Sequence, residues 1–308
     1  MTILDWAIVL FTVAFAIGSY RRGPLSGLLT LGGSAAIAIA LAWILGAMVL
    51  RAPGAPELRR EVQRSLIVRE LNQVLPPPGP VLDVLDRVDQ MPRIAGPTTP
   101  VAPPDPAIAS DPDVRRVSRS VVRVLGTACG LGVEGSGWIA APGLVVTNAH
   151  VVAGEDDTTV TTVDGASLDV TPVRYDPTND LALLRIDASI PALRIAADPH
   201  PGTPGAVLGY PENGPYAVAA ARLGDTSTVI SEDAYGNGPI HRSIAFLRGS
   251  VRSGNSGGPL VDSRGHVMAT VFAATTSGPP GGFAVPNDVI QEALRASTAP
   301  VDTGPCTG

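Results

Sequence analysis

Two long apolar stretches open the chain. Residues 3–19 are apolar apart from one aspartate and two small polar residues, the pair Arg21 and Arg22 follows, and residues 24–50 are predominantly apolar again. Each stretch is long enough to cross a hydrocarbon core of about 30 Å as a helix. A signal peptide fits poorly, because no positive charge precedes the first stretch and a second one follows at once. The pattern predicts a transmembrane helical hairpin over residues 1–50.

The charge of the turn between these stretches predicts the orientation of the hairpin. Arginine-rich turns stay in the cytoplasm, so the turn at Arg21 and Arg22 is expected there. The N-terminus and all residues after 50 then lie outside the cytoplasm. Membrane lipid becomes one expected partner of the chain, through the hairpin.

Residues 51–112 have the composition of a connecting region. Residues 56–75 are rich in Arg and Glu and begin with Pro56, which predicts an amphipathic helix that lies on the membrane, on the next domain or in solvent. Eleven prolines between residues 76 and 112 predict an extended, semi-rigid spacer.

From residue 113 to residue 308 the pattern changes to short β-rich runs separated by Gly, Pro, Asn and Asp. Strands at this spacing are typical of a mainly β domain, a barrel or a sandwich. One helix is predicted near the end, from Asn287 as N-cap to about Ser297. The predicted strands are Val121–Val124, Leu144–Thr147, Thr158–Val163, Leu181–Ile186, Ala206–Tyr210, Ala217–Ala221, Ile244–Leu247 and Val267–Ala273.

Three short motifs in this region carry candidate chemistry. Ser256 lies in the run Gly-Asn-Ser-Gly-Gly-Pro, where a tight loop can expose a hydroxyl nucleophile and let the N–H groups of Gly254 and Ser256 converge as an oxyanion hole. His150, in Thr-Asn-Ala-His, is the candidate general base. Asp180, at the start of an apolar run, is the candidate partner of the other imidazole nitrogen. Each motif alone also fits an ordinary turn, cap or core residue, but their joint occurrence indicates a catalytic triad.

Charge and cysteine content argue against nucleic-acid binding and against a metal site. The net charge is −6 and every basic residue is arginine, without a basic stripe, which argues against nucleic acid as a partner. The two cysteines, Cys129 and Cys306, lie in no metal-binding pattern, so we expect no metal and no cofactor. They form either a disulfide, as an exported domain would favour, or two unrelated thiols.

The three motifs, with Gly135-Ser136-Gly137-Trp138 and Gly282-Phe283-Ala284-Val285-Pro286, resemble the trypsin-like serine protease superfamily in its bacterial exported branch. The resemblance covers about residues 113–299. It implies a chymotrypsin-like fold of two six-stranded antiparallel β-barrels with the site in the cleft between them. It also implies that His150, Asp180 and Ser256 are the catalytic residues and that Gly254 and Ser256 are the oxyanion donors.

The order of the regions is similar to that of the actinobacterial membrane-embedded protease family MarP, which joins a colicin-V-production-like membrane region to a trypsin-like domain. That family usually has four membrane spans, and this sequence offers two. The resemblance implies a disulfide between Cys129 and Cys306 and a protease domain on the periplasmic side of the cytoplasmic membrane. It further implies protein or peptide substrates in the cell envelope and a role in acid and oxidative stress.

The sequence also bears on substrate preference and on two alternative functions, a scaffold and a channel component. Ser250 is expected at the base of the primary pocket and Phe272 to Ala274 along its wall, which predicts an uncharged residue rather than Arg or Lys at the cleaved bond. A non-catalytic envelope scaffold that retains a protease fold is the alternative function, disfavoured by the intact triad. A channel component built from the N-terminal hairpin is disfavoured because the spans carry no paired charges.

Overall fold

The computed structural model of the chain describes residues 91–94, 100–128, 131–276, 278–295 and 299–306. The predicted transmembrane hairpin and the predicted helix over 56–75 lie outside these residues. Within the described ranges, no helix has the length and apolar character needed to span a membrane.

The described chain is mainly β. Its strands are β1 (Arg93–Ile94), β2 (Val121–Ala128), β3 (Leu131–Ala141), β4 (Leu144–Thr147), β5 (Thr159–Thr161), β6 (Ser167–Asp176), β7 (Leu181–Ile186), β8 (Pro204–Gly209), β9 (Ala217–Ser231), β10 (Ile240–Gly249), β11 (Pro259–Val261), β12 (Val267–Thr275) and β13 (Gly281–Pro286). Its α-helices are α1 (Pro112–Arg116), α2 (Ala149–Val152) and α3 (Asn287–Leu294), and 3-10 turns cover Pro106–Ser110, Val117–Ser120 and Pro211–Asn213.

The first barrel closes in the order β2–β3–β4–β7–β6–β5, and β5 pairs back with β2. Strand β7 shows how its sequence serves two cores. Ala182 and Leu184 point into the barrel, whereas Leu181 and Leu183 belong to a core shared with the second sheet. Because successive side chains of a strand point to opposite faces, both faces of β7 are buried and the strand is apolar almost throughout.

The second sheet has six antiparallel strands in the order β12–β11–β8–β9–β10–β13. Strand β12 also pairs with β13, so the hydrogen bonding returns to its first strand. A seventh strand, the two-residue β1, joins β12 in parallel. The two six-stranded sheets, the first of which is a closed barrel, confirm the mainly β fold that the sequence predicts.

A shared apolar core joins the two barrels. It contains Trp138 and Leu183 from the first barrel and Leu208 and Phe272 from the second. The indole of Trp138 is fully buried, and its Nε1 donates a hydrogen bond to the Thr270 hydroxyl at 3.0 Å. This bond satisfies the polar atom of the largest buried side chain and fixes one barrel against the other.

The sequence prediction missed some strands and misplaced one helix boundary. Strands β1, β3, β6, β11 and β13 are absent from the predicted set. The predicted N-cap was also wrong: Asn287 is the first residue of α3 and Pro286 occupies the N-cap position. The Asn287 side chain is held elsewhere, since its Nδ2 donates to the carbonyl oxygens of Ala196 at 3.0 Å and Val267 at 2.9 Å.

The described residues of the predicted spacer contact the second barrel. The N–H of Ala274 donates to the carbonyl oxygen of Pro92 at 3.1 Å. Arg248 donates to the carbonyl oxygen of Val101 at 2.6 Å, and Ile108 is buried in the shared core. The division into residues 1–50, 51–112 and 113–308 stays a prediction.

The C-terminal tail contacts the first barrel. The N–H of Val301 donates to the carbonyl oxygen of Pro172 at 3.0 Å, and the N–H of Gly154 donates to that of Thr303 at 3.3 Å. Cys306 lies directly against Gly154: a Cβ added to this glycine would come within 2.4 Å of the Cys306 nitrogen.

Candidate active site

His150 lies on α2, the single helical turn that follows β4. Asn148 precedes the helix in an extended conformation, and all four helical residues are buried. The side chain of His150 is 3% exposed. The apolar residues around it, Ala149 and Val151, anchor the turn, so the imidazole is presented from a packed element rather than from a mobile loop.

Asp180 lies in the turn between β6 and β7 with φ of +55°, a left-handed conformation that Asp tolerates better than most residues. Asp176 fixes this turn, because its carboxylate accepts from the N–H of Asn179 at 3.1 Å and from its Nδ2 at 2.8 Å. The Nδ2 of Asn148 donates to the carbonyl oxygen of Asp180 at 2.8 Å. The residue before α2 therefore ties the Asp180 turn to the helix of His150.

The side chains of His150 and Asp180 meet in the protein interior. The distance from His150 Nδ1 is 2.8 Å to Asp180 Oδ2 and 3.0 Å to Oδ1. The backbone N–H of His150 also donates to Oδ1 at 3.0 Å. With Nδ1 protonated toward this carboxylate, Nε2 is the ring nitrogen that can accept a proton. Nε2 is buried and has no hydrogen-bond partner among the described residues.

Opposing effects set the charge of Asp180. Burial alone would raise the pKa of its carboxyl group, because burial penalises the charged form. The charge of His150, the hydrogen bonds from its ring and backbone, and the charge of Arg242 act against burial and hold the pKa of Asp180 below its ordinary value. The carboxylate is therefore ionised at neutral pH and can stabilise an imidazolium on His150.

Ser256 lies in the loop between β10 and β11. Gly254 and Gly257 have φ of +83° and +81°, values that favour glycine. The N–H of Asn255 donates to the carbonyl oxygen of Arg252 at 3.0 Å, and that of Gly257 donates to Val271 at 2.8 Å. Among the described residues, the N–H groups of Gly254 and Ser256 donate to no protein group. These two donors are available for a developing oxyanion.

The helix of His150 and the loop of Ser256 meet at Gly135 of β3. A Cβ added to Gly135 would lie 2.7 Å from the side chain of Val151 and 3.1 Å from the carbonyl oxygen of Ser256. The Ser256 hydroxyl makes a long hydrogen bond of 3.5 Å to the carbonyl oxygen of Phe272. A hydrogen bond of this length holds the hydroxyl only weakly.

Comparisons with known proteins show the family of the chain. Residues 135–269 match the trypsin-like peptidase domain. The chain is 32% identical to serine protease Rv3671c of Mycobacterium tuberculosis over 308 aligned residues, which cover 94% of this chain and 77% of that protein. The chain belongs to this family of trypsin-like serine proteases. It is 31% identical to Protease Do-like 1, chloroplastic, of Arabidopsis thaliana over 51% of this chain and 37% of that protein.

Solved structures of the Rv3671c protease extend the comparison to the fold. The active form is 37% identical, with a TM-score of 0.65, and covers 70% of this chain and 98% of its own. An inactive form is 36% identical, with a TM-score of 0.58, and covers 65% of this chain and 100% of its own. The chain is thus a hydrolase with the chymotrypsin-like fold.

Several residues around the site were not singled out as site residues from the sequence. Asn148 holds the Asp180 turn, and Ser136 contacts the loop of Ser256. Arg242 is 6% exposed and stacks 4.4 Å above the ring centroid of Phe272. Arg242 also lines, with Asp180, a cavity of about 730 Å³ between β1 and the ends of β9 and β10. The motif Thr-Asn-Ala-His pointed to Asn148, and the motif Gly-Ser-Gly-Trp pointed to Ser136; Arg242 had no sequence signal.

The predicted substrate pocket and the predicted disulfide remain untested by the structure. Ser250 is exposed just after β10, and its place in a primary pocket stays a prediction. Cys129 lies outside the described residues. Within the described ranges, no group of three or more His, Cys, Asp or Glu side chains could hold a metal ion.

Proposed function

We propose that this serine protease cleaves peptide bonds with Ser256 as nucleophile, His150 as general base and Asp180 as the residue that orients His150. Ser256 Oγ attacks the carbonyl carbon of the substrate while His150 Nε2 takes the hydroxyl proton. His150 then gives this proton to the leaving amine, and an acyl-enzyme remains on Ser256. Water, deprotonated by the same imidazole, attacks the ester and releases the acid product and Ser256.

The free N–H groups of Gly254 and Ser256 support the oxyanion part of the proposal. The tetrahedral intermediate places a negative charge on the former carbonyl oxygen, and two converging N–H donors stabilise it. Loss of one such donor typically costs about 10²–10³ in rate. No metal or cofactor has a step in this mechanism.

The proposal is carried by the buried contact of 2.8 Å between His150 Nδ1 and Asp180, which leaves His150 Nε2 without a partner. Labelling with a fluorophosphonate probe tests it in the purified full-length chain. The wild type should be labelled, Ser256→Ala should not, and Ser263→Ala, which removes an exposed serine from the next turn, should be labelled like the wild type. A folded wild type that resists the probe would instead favour a non-catalytic scaffold.

We also propose that residues 1–50 anchor the protease in the cytoplasmic membrane, with residues 113–308 on the outer side. The two apolar stretches support this, as does the alignment with Rv3671c, which covers 94% of the chain and so includes most residues before the barrels. Membrane fractions should retain the wild type and release a variant that lacks residues 1–50. Protease added to spheroplasts should degrade residues 113–308; protection of this region would contradict the orientation.

The substrates that follow from this location are proteins and peptides of the cell envelope, cleaved after an uncharged residue. A peptide library with strong preference for Arg or Lys would contradict the pocket assignment at Ser250. A role in acid and oxidative stress is proposed from the family resemblance. A strain carrying only Ser256→Ala should then survive acid or peroxide less well than a strain carrying the wild type.

We further propose a disulfide between Cys129 and Cys306. The absence of a free thiol in the described part of the chain supports it, as does the position of Cys306 against Gly154 at the surface of the first barrel. Closing the loop between Cys129 and Cys306 would stabilise the fold by about 5 kcal/mol at most. Alkylation of the denatured, unreduced chain should label no thiol, and two labelled thiols would contradict the bond.

A further inference from the structure

The motif Gly-Ser-Gly-Trp on β3 places one hydroxyl directly behind the candidate oxyanion loop. Ser136 is fully buried, and its neighbours Gly135 and Gly137 have no side chains that would separate β3 from the elements around it. Ser136 has no step in the proposed mechanism. Its hydrogen bonds nevertheless lead to the loop that carries the nucleophile.

Ser136 is hydrogen-bonded to both residues that carry the proposed oxyanion donors. Its Oγ donates to the carbonyl oxygen of Gly254 at 2.6 Å. Its backbone N–H donates to the carbonyl oxygen of Ser256 at 2.7 Å. The same Oγ accepts from the N–H of Tyr210 at 2.9 Å. The hydroxyl thus has both of its roles filled in one fixed orientation, with Tyr210 at the end of β8 as its outer support.

The Gly254 bond matters because glycine restricts its own backbone very little. Gly254 has φ of +83°, and without a Cβ this residue can rotate into other conformations at small cost. A rotation there would turn the N–H of Gly254 away from the oxyanion position proposed for it and for the N–H of Ser256. A buried hydroxyl that holds the Gly254 carbonyl restricts this rotation from outside the loop.

A second glycine allows the close approach that these bonds require. A Cβ added to Gly257 would lie 2.0 Å from the carbonyl oxygen of Ser136 and 2.3 Å from the Thr147 hydroxyl. The loop can therefore pack on β3 at backbone contact distance only because Gly257 follows the nucleophile. Ser136 therefore supplies the hydrogen bond to the loop, and Gly257 supplies the space that the loop needs to approach β3.

We propose that Ser136 is a positioning residue that holds the oxyanion loop in its working conformation through the Gly254 carbonyl. It touches neither substrate nor reacting atoms and acts through Gly254. The proposal rests on the proposed function of Ser256, Gly254 and His150. It predicts that the Ser136 hydroxyl contributes to transition-state binding and little to substrate binding.

The test compares Ser136→Ala with Thr158→Val in the full-length chain. Thr158 is a buried residue whose hydroxyl donates to Glu155 at 2.6 Å, so its loss removes a comparable buried hydrogen bond without contact to the loop. We expect Ser136→Ala to lower kcat about 10- to 100-fold with KM changed less than about twofold, as for a partly lost oxyanion donor. Thr158→Val should keep the kcat of the wild type at a temperature where both variants are folded.

A peptide boronate, which forms a tetrahedral adduct with the nucleophile, provides the second readout. Its affinity for Ser136→Ala should fall by the same factor as kcat, whereas the affinity of a product peptide should stay within about twofold. If Ser136→Ala does not fold, Ser136→Cys provides the same comparison, because it has nearly the same shape and a much weaker donor.

The outcomes separate this inference from the proposed function. A wild type that hydrolyses peptide and is labelled at Ser256, beside a folded Ser136 variant with unchanged kcat and boronate affinity, would overturn the role of Ser136 alone. Equal losses in Ser136→Ala and Thr158→Val would also overturn it, since they would reflect stability. A wild type with no activity and no labelling would contradict the proposed function itself.

Discussion

Replacing Asp180 by asparagine tests the hydrogen-bond pattern on which the proposed general base depends. In the wild type, Oδ1 accepts from the backbone N–H of His150 at 3.0 Å, and Oδ2 lies 2.8 Å from Nδ1. The amide of Asp180→Asn has only one oxygen. If this oxygen keeps the backbone contact, the amide NH₂ faces Nδ1, so Nδ1 must be the acceptor and the proton moves to Nε2. The ring can then no longer accept the proton of Ser256.

The size of the effect follows from the cost of restoring the correct tautomer. A flipped amide would give Nδ1 an acceptor but would place the NH₂ against the backbone N–H of His150, at the 3.0 Å position of Oδ1. Two buried donors would then lack acceptors, at about 1–3 kcal/mol each. A total of about 2–6 kcal/mol corresponds to a loss of roughly 30-fold to 10⁴-fold in kcat. We expect the upper half of this range, because the site is fully buried.

The assay is steady-state hydrolysis of one peptide at neutral pH, with Asp176→Asn as the matched control. Asp176 lies in the same turn, and its carboxylate binds Asn179 rather than His150. The control should lose less than about threefold, because its amide oxygen can still accept one of the two hydrogen bonds from Asn179 and it makes no contact with His150. A loss below tenfold in Asp180→Asn, or equal losses in both variants, would refute the assignment of Asp180.

Three further experiments test Gly257, Trp138 and the charge of Asp180. Gly257→Ala should abolish activity and lower the yield of folded protein, because its Cβ would lie 2.0 Å from the Ser136 carbonyl oxygen; activity assays and circular dichroism check this, and a folded, active variant would contradict it. Trp138→Phe should lower the free energy of unfolding by about 1–3 kcal/mol, since the buried Thr270 hydroxyl loses its donor; urea unfolding measures it, with an unchanged midpoint as the contrary result. The pKa of Asp180 is lowered in the folded state, so its ionised form stabilises the fold above about pH 4 and this stabilisation is lost as the pH falls through the folded pKa. The difference in unfolding free energy between the wild type and Asp180→Asn should therefore change between pH 7 and pH 3 in favour of the variant, and a constant difference would contradict the lowered pKa.

The sequence predicted the elements whose pattern is local. Strands β4 and β7 appear with their predicted bounds, because continuous β-branched and aliphatic residues fill one barrel on one face and the shared core on the other. The motifs around His150 and Asp180 could be found because His150 follows the end of β4 and Asp180 precedes the start of β7. The motif around Ser256 could be found from its own glycine-rich residues, since Ser256 lies in a loop. The contact between His150 and Asp180 follows from β4 and β7 being neighbours in the barrel.

The missed features depend on the folded chain. Strand β3 holds Gly132, Gly135 and Gly137, which in sequence resemble turn residues. In the structure a Cβ at Gly137 would come within 2.8 Å of the side chain of Val145, so at least this glycine serves close packing rather than a turn. The bond between Ser136 and Gly254 joins residues 118 positions apart. Local sequence cannot predict a contact between residues so far apart in the chain. The contact between Arg242 and Phe272 could not be predicted for the same reason.

The contacts of the two chain ends have a consequence for a cut made between the barrels. Pro92 and Val101, which precede the first barrel, are bonded to the second, whereas Val301 and Thr303, which follow the second barrel, are bonded to the first. Each half of the domain is thus completed by a strip of chain belonging to the other half. A single cut at the exposed turn around Pro201 would leave two fragments, each hydrogen-bonded to the barrel of the other. We expect these fragments to stay associated and to reassemble after separation.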